Sequence, residues 1–269
     1  MENQDWMEND SFATDKAREI LYNFFSLATS RPKSKRWERL FDQNFQSAVI
    51  FSAEFFQEKI PLGKGSELLN LKQIAFPGLD LRQVFLETYD EIFGFVPSKD
   101  CLPYETEYCV QATDVFRSQT MGDIGGFYKA FGLEPSRDEP ERPDHISLEL
   151  EFMAWLIEKE WFAKLEKNLD YDEKAEICRD AQRKFFENHL AWWVSSFCQS
   201  FQKKSNDLSL AQSPEETSTG FYQVISRSIS AFFKEEGSVF NITLPCETIS
   251  PNFDPGKEVE KCGFCPKGV

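Results

Sequence analysis

Large apolar side chains recur three and four residues apart along most of this chain, and no run alternates apolar with polar over any length. Ile20, Leu21, Phe24, Phe25, Leu27 and Ala28 share one face of a helix. Trp37, Leu40, Phe41, Phe45 and Val49 repeat the pattern, as do Leu81, Val84, Phe85, Tyr89, Ile92 and Phe93. Such spacing suits amphipathic helices and gives no strand a face to bury. The expected fold is all-α: a single multi-helix bundle with neighbouring helices antiparallel across short loops.

Punctuation places the elements. A first helix should start at Asp15, capped by Thr14 or Asp15, and stop at Arg31-Pro32. A second should run on from Ser34 until Pro61, Gly63 and Gly65 break it, and a third from Asp80 to Gly94. The fourth, 113–131, carries Gly122, Gly125 and Gly126, which implies either a close helix neighbour or a break. A long fifth helix should open at Pro143, since proline suits a first helical turn, and run to Lys167. Segments 170–188, 190–203 and 220–235 complete the set. The expected organisation is a frayed segment 1–14, a helical body 15–235 with a hinge loop at about 133–145, and an irregular tail 236–269.

Charge limits the function. With 45 acidic and 30 basic residues the net charge is −15, which repels phosphate backbones and favours a basic partner. The first residues, MENQDWMENDSF, lack the basic and apolar regions of a secretory signal, and the longest apolar run, 152–157, is too short to span a bilayer. A cytoplasmic location without membrane insertion is expected. The 27 phenylalanines suit helix packing, and some could line a groove for apolar peptide side chains.

The seven cysteines are too irregular for a disulfide framework. Cys262 and Cys265 form a C-x-x-C, and Cys246 could add a third ligand, but a structural zinc site needs four. No metal site and no cofactor is expected, and no phosphate-binding glycine motif occurs.

The chemistry concentrates between 104 and 151. Glu134, Asp138, Glu139, Glu141, Asp144, Glu149 and Glu151 crowd the connector and the following helix start. They could pair the guanidinium groups of a basic peptide. They could equally be a solvated linker, with acids favoured by a helix dipole. His145 beside Asp144 suits positioning better than catalysis, since no nucleophile stands at a recognisable motif. His189 reads as structural or half-exposed.

The order of an aromatic helix (GFYKAFGL), then E-R-P-D-H at 141–145, then E-L-E-F-M at 149–153 resembles the TorD/DmsD/NarJ family of molybdoenzyme maturation chaperones. It is most similar in form to the chaperones of type II dimethyl-sulfoxide-reductase enzymes. The resemblance runs over about 15–235 and is strongest from Tyr104 to Glu160. It implies a TorD-like helical bundle that is not an enzyme. It implies a chaperone that binds the apo catalytic subunit of a molybdenum oxidoreductase, with its twin-arginine leader, during cofactor insertion and before export. By the same resemblance the client-binding residues are Tyr104, Glu105, Tyr108, Phe127, Tyr128, Glu141, Pro143, Asp144, His145 and Glu149, in a monomer or weak dimer. The alternative is a helical redox or metal-handling protein acting through Cys246, Cys262 and Cys265.

Overall fold

The computed structural model describes residues 10–59, 71–72, 74–94, 100–109, 114–165, 169–211 and 217–245. Among them the regular structure is helical and no strand forms; one isolated antiparallel bridge joins Tyr104 to His145. The α-helices are α1 (Asp10–Thr29), α2 (Gln43–Lys59), α3 (Arg82–Phe93), α4 (Asp114–Ala130), α5 (Ile146–Leu165), α6 (Leu169–Phe185), α7 (Val194–Ala211) and α8 (Thr217–Phe240). Short 3-10 turns occupy Lys35–Phe41, Leu79–Leu81 and Glu105–Tyr108, and a π-helical turn, Phe186–Leu190, precedes α7.

The bundle is organised around α5. Ile146, Leu150, Met153 and Ile157 are buried along one stripe, and Phe152 and Leu156 are buried on another. A helix apolar on so many sides must be covered on several. Accordingly α1 lies along it on one flank and α6 on another, while α2 packs on α1 and α7 on α8. Aromatic clusters fill the joints. Tyr22, Phe25, Phe56, Phe232 and Phe233 join α1, α2 and α8. Phe93, Phe197, Phe201 and Tyr222 join α3, α7 and α8. Each ring removed from water contributes about 1.5–3 kcal/mol, so the phenylalanines chiefly make core. Phe51 and Phe162 stand exposed.

Several boundaries differ from expectation, each for a local reason. α1 starts at Asp10, so Thr14 and Asp15 lie inside it; Asp15 instead pairs with Arg18 and Lys164. The expected second helix is two elements. Asp42 interrupts it and caps α2, its Oδ1 accepting from the Asn44 N–H at 2.7 Å. Gly122, Gly125 and Gly126 sit in an unbroken α4, and a Cβ at any of them would meet nothing within 4 Å. They mark neither a break nor a close neighbour. Gly132 (φ 76°) ends the connection with a Schellman bond from Leu133 N–H to the Tyr128 carbonyl at 2.9 Å.

The C-terminal boundary also moves. α8 continues past 235 to Phe240 and ends on Asn241 (φ 57°), with Ile242 N–H donating to the Gly237 carbonyl at 2.7 Å. A Cβ on Gly237 would lie 2.7 Å from the Ile242 carbonyl oxygen, so glycine permits this close. Ile242 and Leu244 then pack on the core. The segment after 236 therefore begins as helix and packed chain, not as an irregular extension. Cys246, Cys262 and Cys265 lie outside the described residues.

Candidate functional site

The site begins where the chain enters α5. His145 Nδ1 accepts the Ser147 N–H at 3.1 Å and meets Ser147 Oγ at 2.8 Å, and the His145 carbonyl accepts from Leu148 and Glu149. The imidazole is thus the N-cap of α5, so the helix opens at Ile146 and not at Pro143. Nε2 is left facing Tyr89 Oη at 3.5 Å. Burial lowers the His145 pKa, which keeps the ring neutral and able to accept.

The 103–106 segment is laced to this helix start. Ile146 N–H donates to the Pro103 carbonyl and Glu105 N–H to the Asp144 carbonyl, both at 2.9 Å. Asp144 is fully buried. Its Oδ2 accepts from Thr106 N–H (3.2 Å) and Thr106 Oγ1 (2.8 Å). Arg142 closes the group. Its Nε and Nη2 grip Asp144 at 3.0 and 2.8 Å, Nη2 also reaches Thr106 Oγ1 at 2.8 Å, and Nη1 reaches Glu107 at 3.1 Å. The guanidinium carbon lies 4.2 Å from the centre of the Tyr104 ring. A bidentate carboxylate, a second carboxylate and an aromatic face are the full set of groups that recognise arginine.

A second polar cluster lies behind it. Buried Glu105 accepts from Trp192 Nε1 at 2.8 Å and meets His189 Nδ1 at 3.2 Å, while His189 Nε2 reaches Asp123 at 3.0 Å. Burial works to lower the His189 pKa, but the bonds and charges of Glu105 and Asp123 raise it overall. Burial raises Glu105 and Glu149, and the charges of Glu105 and Asp144 push Glu149 further up. His189 sits in the π-helical turn, which aims it between α4 and the 104–108 turn.

The residues expected to bind a client thus divide. Glu105, Tyr108, Asp144, His145 and Glu149 are interior. Phe127 and Tyr128 are half-buried. They pack on Phe152 and Phe185, and Tyr128 Oη donates to the Pro143 carbonyl at 2.9 Å. Tyr104 and Pro143 are half-exposed and Glu141 is exposed. Burial, with Glu141 next, pushes the Tyr104 phenol up to about 12. A cavity of about 230 Å³ opens beside them, lined by Arg31, Tyr89, Phe93, Leu102, Tyr104 and Glu141 among others. Sequence reasoning gave no role to Arg142, although E-R-P-D-H contains it, and none to Thr106 or Glu107. Partnership between Arg142 and Thr106, 36 positions apart, leaves no local signal. His189 proves structural and buried.

A model of the family described as "Nitrate reductase delta subunit" matches residues 57–199, more than half of the chain. This chain belongs to that family. A selenate reductase assembly chaperone protein from Thauera selenatis is 37% identical over 84 residues, 31% of this chain and 41% of the relative. A chlorate reductase assembly chaperone protein from Ideonella dechloratans is 41% identical over 83 residues, 31% and 40% of the two chains. Chaperone protein TorD from Photobacterium profundum is 28% identical over 116 residues, 43% and 50%. The matches therefore span two fifths to half of the length of these relatives. No solved structure matches. Together they bear out the resemblance to the TorD/DmsD/NarJ chaperones.

Proposed function

We propose that this protein is a molybdoenzyme assembly chaperone. Without catalysing a reaction, it binds the apo catalytic subunit of an oxidoreductase of the type II dimethyl-sulfoxide-reductase kind, and that subunit's twin-arginine leader, in the cytoplasm before export. The likeness to chaperones named for selenate and chlorate reductases carries the reading. The exposed acids of the 134–141 connector and the neighbouring cavity support a basic, partly apolar peptide as ligand. In this reading Tyr104, Glu141 and Pro143 touch the peptide. Glu105, Tyr108, His145 and Glu149 hold that surface in shape, and Phe127 and Tyr128 brace it against α5. No helix among the described residues is long and apolar enough to cross a membrane, and no group of three or more potential ligands there could hold a metal.

Titrating the full chain with its client's leader peptide tests this. Measurable affinity that falls when the peptide's arginines become lysines is expected. Glu141→Gln should weaken it by no more than about five-fold, because an exposed pair is worth about 0.2–1 kcal/mol. No affinity for the leader, with an unrelated partner recovered from the native host, would overturn the reading.

A further inference from the structure

We propose that Tyr104, Thr106, Glu107 and Asp144 form an exchangeable guanidinium receptor, in which Arg142 is a resident occupant that an arginine of the incoming peptide replaces. The client half of this inference rests on the leader-binding reading; the receptor itself does not.

Four observations lead here. First, the cage does not need Arg142 to keep its shape. Asp144 is oriented by Thr106 N–H and Oγ1 at 3.2 and 2.8 Å, and Glu107 Oε2 is held by Arg117 at 3.0 Å. Second, the occupant can leave. Its side chain is 37% exposed, whereas that of Asp144 is fully buried, so the mouth is open and the floor is closed. Arg142 also belongs to the non-helical connector, so rotating its side chain outward breaks no helix. Third, the vacated cage cannot stay empty cheaply. A buried carboxylate would lose its cation, and water replaces a bidentate guanidinium poorly. Another arginine restores every bond; a lysine offers a point charge that cannot grip both oxygens. Fourth, the surroundings favour a cationic visitor. Glu134, Asp138 and Glu141 are exposed on the connector, and the 230 Å³ cavity shares Tyr104 with the cage, so one peptide can engage both.

The physical consequence is a threshold. While Arg142 occupies the receptor, the apparent affinity for a peptide arginine is reduced by the fraction of time that the cage is free. Ligands lacking arginine gain nothing from opening it. Self-occupancy therefore lowers the affinity that an arginine contributes, so a peptide must add contacts outside the cage to bind well.

The decisive variant is Arg142→Ala in the full chain, with melting followed in millimolar ethylguanidinium or ethylammonium. The variant should melt below wild type. Ethylguanidinium should raise its midpoint saturably, without moving wild type, and ethylammonium should not. Absence of rescue, or an equal shift in both proteins, overturns the receptor. If Arg142→Ala does not fold, Arg142→Gln must show the same selective rescue. The leader peptide is then titrated against both proteins. The variant should bind about ten-fold more tightly, since the resident competitor is gone, and the gain should vanish with a twin-lysine peptide. Equal affinities overturn the exchange and leave the leader reading standing. Selective rescue by ethylguanidinium, with no peptide binding to either protein, overturns the leader reading and the client's part in the exchange.

Discussion

Arg18 and Arg142 sit in cages of the same chemistry and opposite access. Arg18 grips Glu236 with Nε and Nη2 at 2.7 and 2.9 Å, reaches Asp15 at 3.2 Å, and has the Phe240 ring 5.1 Å away. Arg142 grips Asp144, reaches Glu107 and lies over Tyr104. In both, a fully buried carboxylate receives the bidentate contact. The difference is the arginine. The Arg18 side chain is 4% exposed and rises from the middle of α1, so it cannot leave without opening the bundle. The Arg142 side chain is 37% exposed and rises from a connector. The first cage ties α1 to α8 and, through Gln182, to α6. The second ties the connector to the 105–108 turn. One motif thus serves as a fastener when its occupant is rooted in a helix, and as a receptor when it is not.

The largest expected effect breaks the closed cage. Glu236→Ala leaves Arg18 buried beside Tyr22, whose hydroxyl also donates to Glu236 at 2.7 Å. Breaking one side of a buried pair costs about 3–5 kcal/mol. Urea or thermal unfolding should show that loss, and an added small carboxylate should restore little of it, because the Glu236 side chain is fully buried. A cost under about 1 kcal/mol would mean that the fastener is dispensable and would erase the contrast.

The open cage should respond more weakly. Arg142→Ala is expected to lower stability by about 1–2 kcal/mol, since a charged group loses its hydrogen bonds but water reaches the partly exposed site. A loss equal to that of Glu236→Ala, measured in the same denaturant series, would put the two cages in one class.

The contrast also shows what the sequence makes legible. Helical periodicity predicts the all-α fold because core burial repeats locally, every three or four residues, as Leu21, Phe24, Phe25 and Ala28 do. Gly94 reads as a stop because positive φ has a local signature. The cages have none. Arg18 meets a partner 218 positions away, and His189 meets one 84 positions away. The motif around Asp144 points to the right corner of the molecule, yet its acids look alike in sequence. Glu141 is exposed, Asp144 is buried and paired, and Glu149 is buried without a well-formed hydrogen bond to either oxygen. That sorting comes only from packing.

Glu149 gives a third case, a buried carboxyl with no cation, and hence a pH signature that neither cage should share. Burial raises its pKa well above the ordinary 4.5, with Glu105 and Asp144 adding to the shift. Above 4.5 the folded chain therefore holds a proton that the unfolded chain has released, so stability falls as pH rises until Glu149 ionises. His189, raised from 6.5, adds a slope of the same sign above that value. Glu149→Gln mimics the protonated form and removes its share of the slope, at most about 1.4 kcal/mol per pH unit for one proton. Melting at a series of pH values from about 5 to 8 should show the variant gaining on wild type as pH rises. A constant difference would show that Glu149 titrates normally.

The smallest effect isolates the aromatic face that both cages use. Tyr104→Leu keeps an apolar contact but removes the ring under Arg142, and a half-exposed cation–π contact is worth about 0.5–1 kcal/mol. The same substitution in the Arg142→Ala background should cost that much less, because the cation is already gone. The coupling in this double-mutant cycle reads the contact itself, free of the packing that Tyr104 makes with His145, whose ring centre is 5.1 Å away. Zero coupling would leave the guanidinium held by carboxylates alone. Ethylguanidinium should then rescue Arg142→Ala and the double variant equally. Finite coupling predicts weaker rescue of the double variant, in proportion, since the same ring must then recognise an arginine supplied from outside.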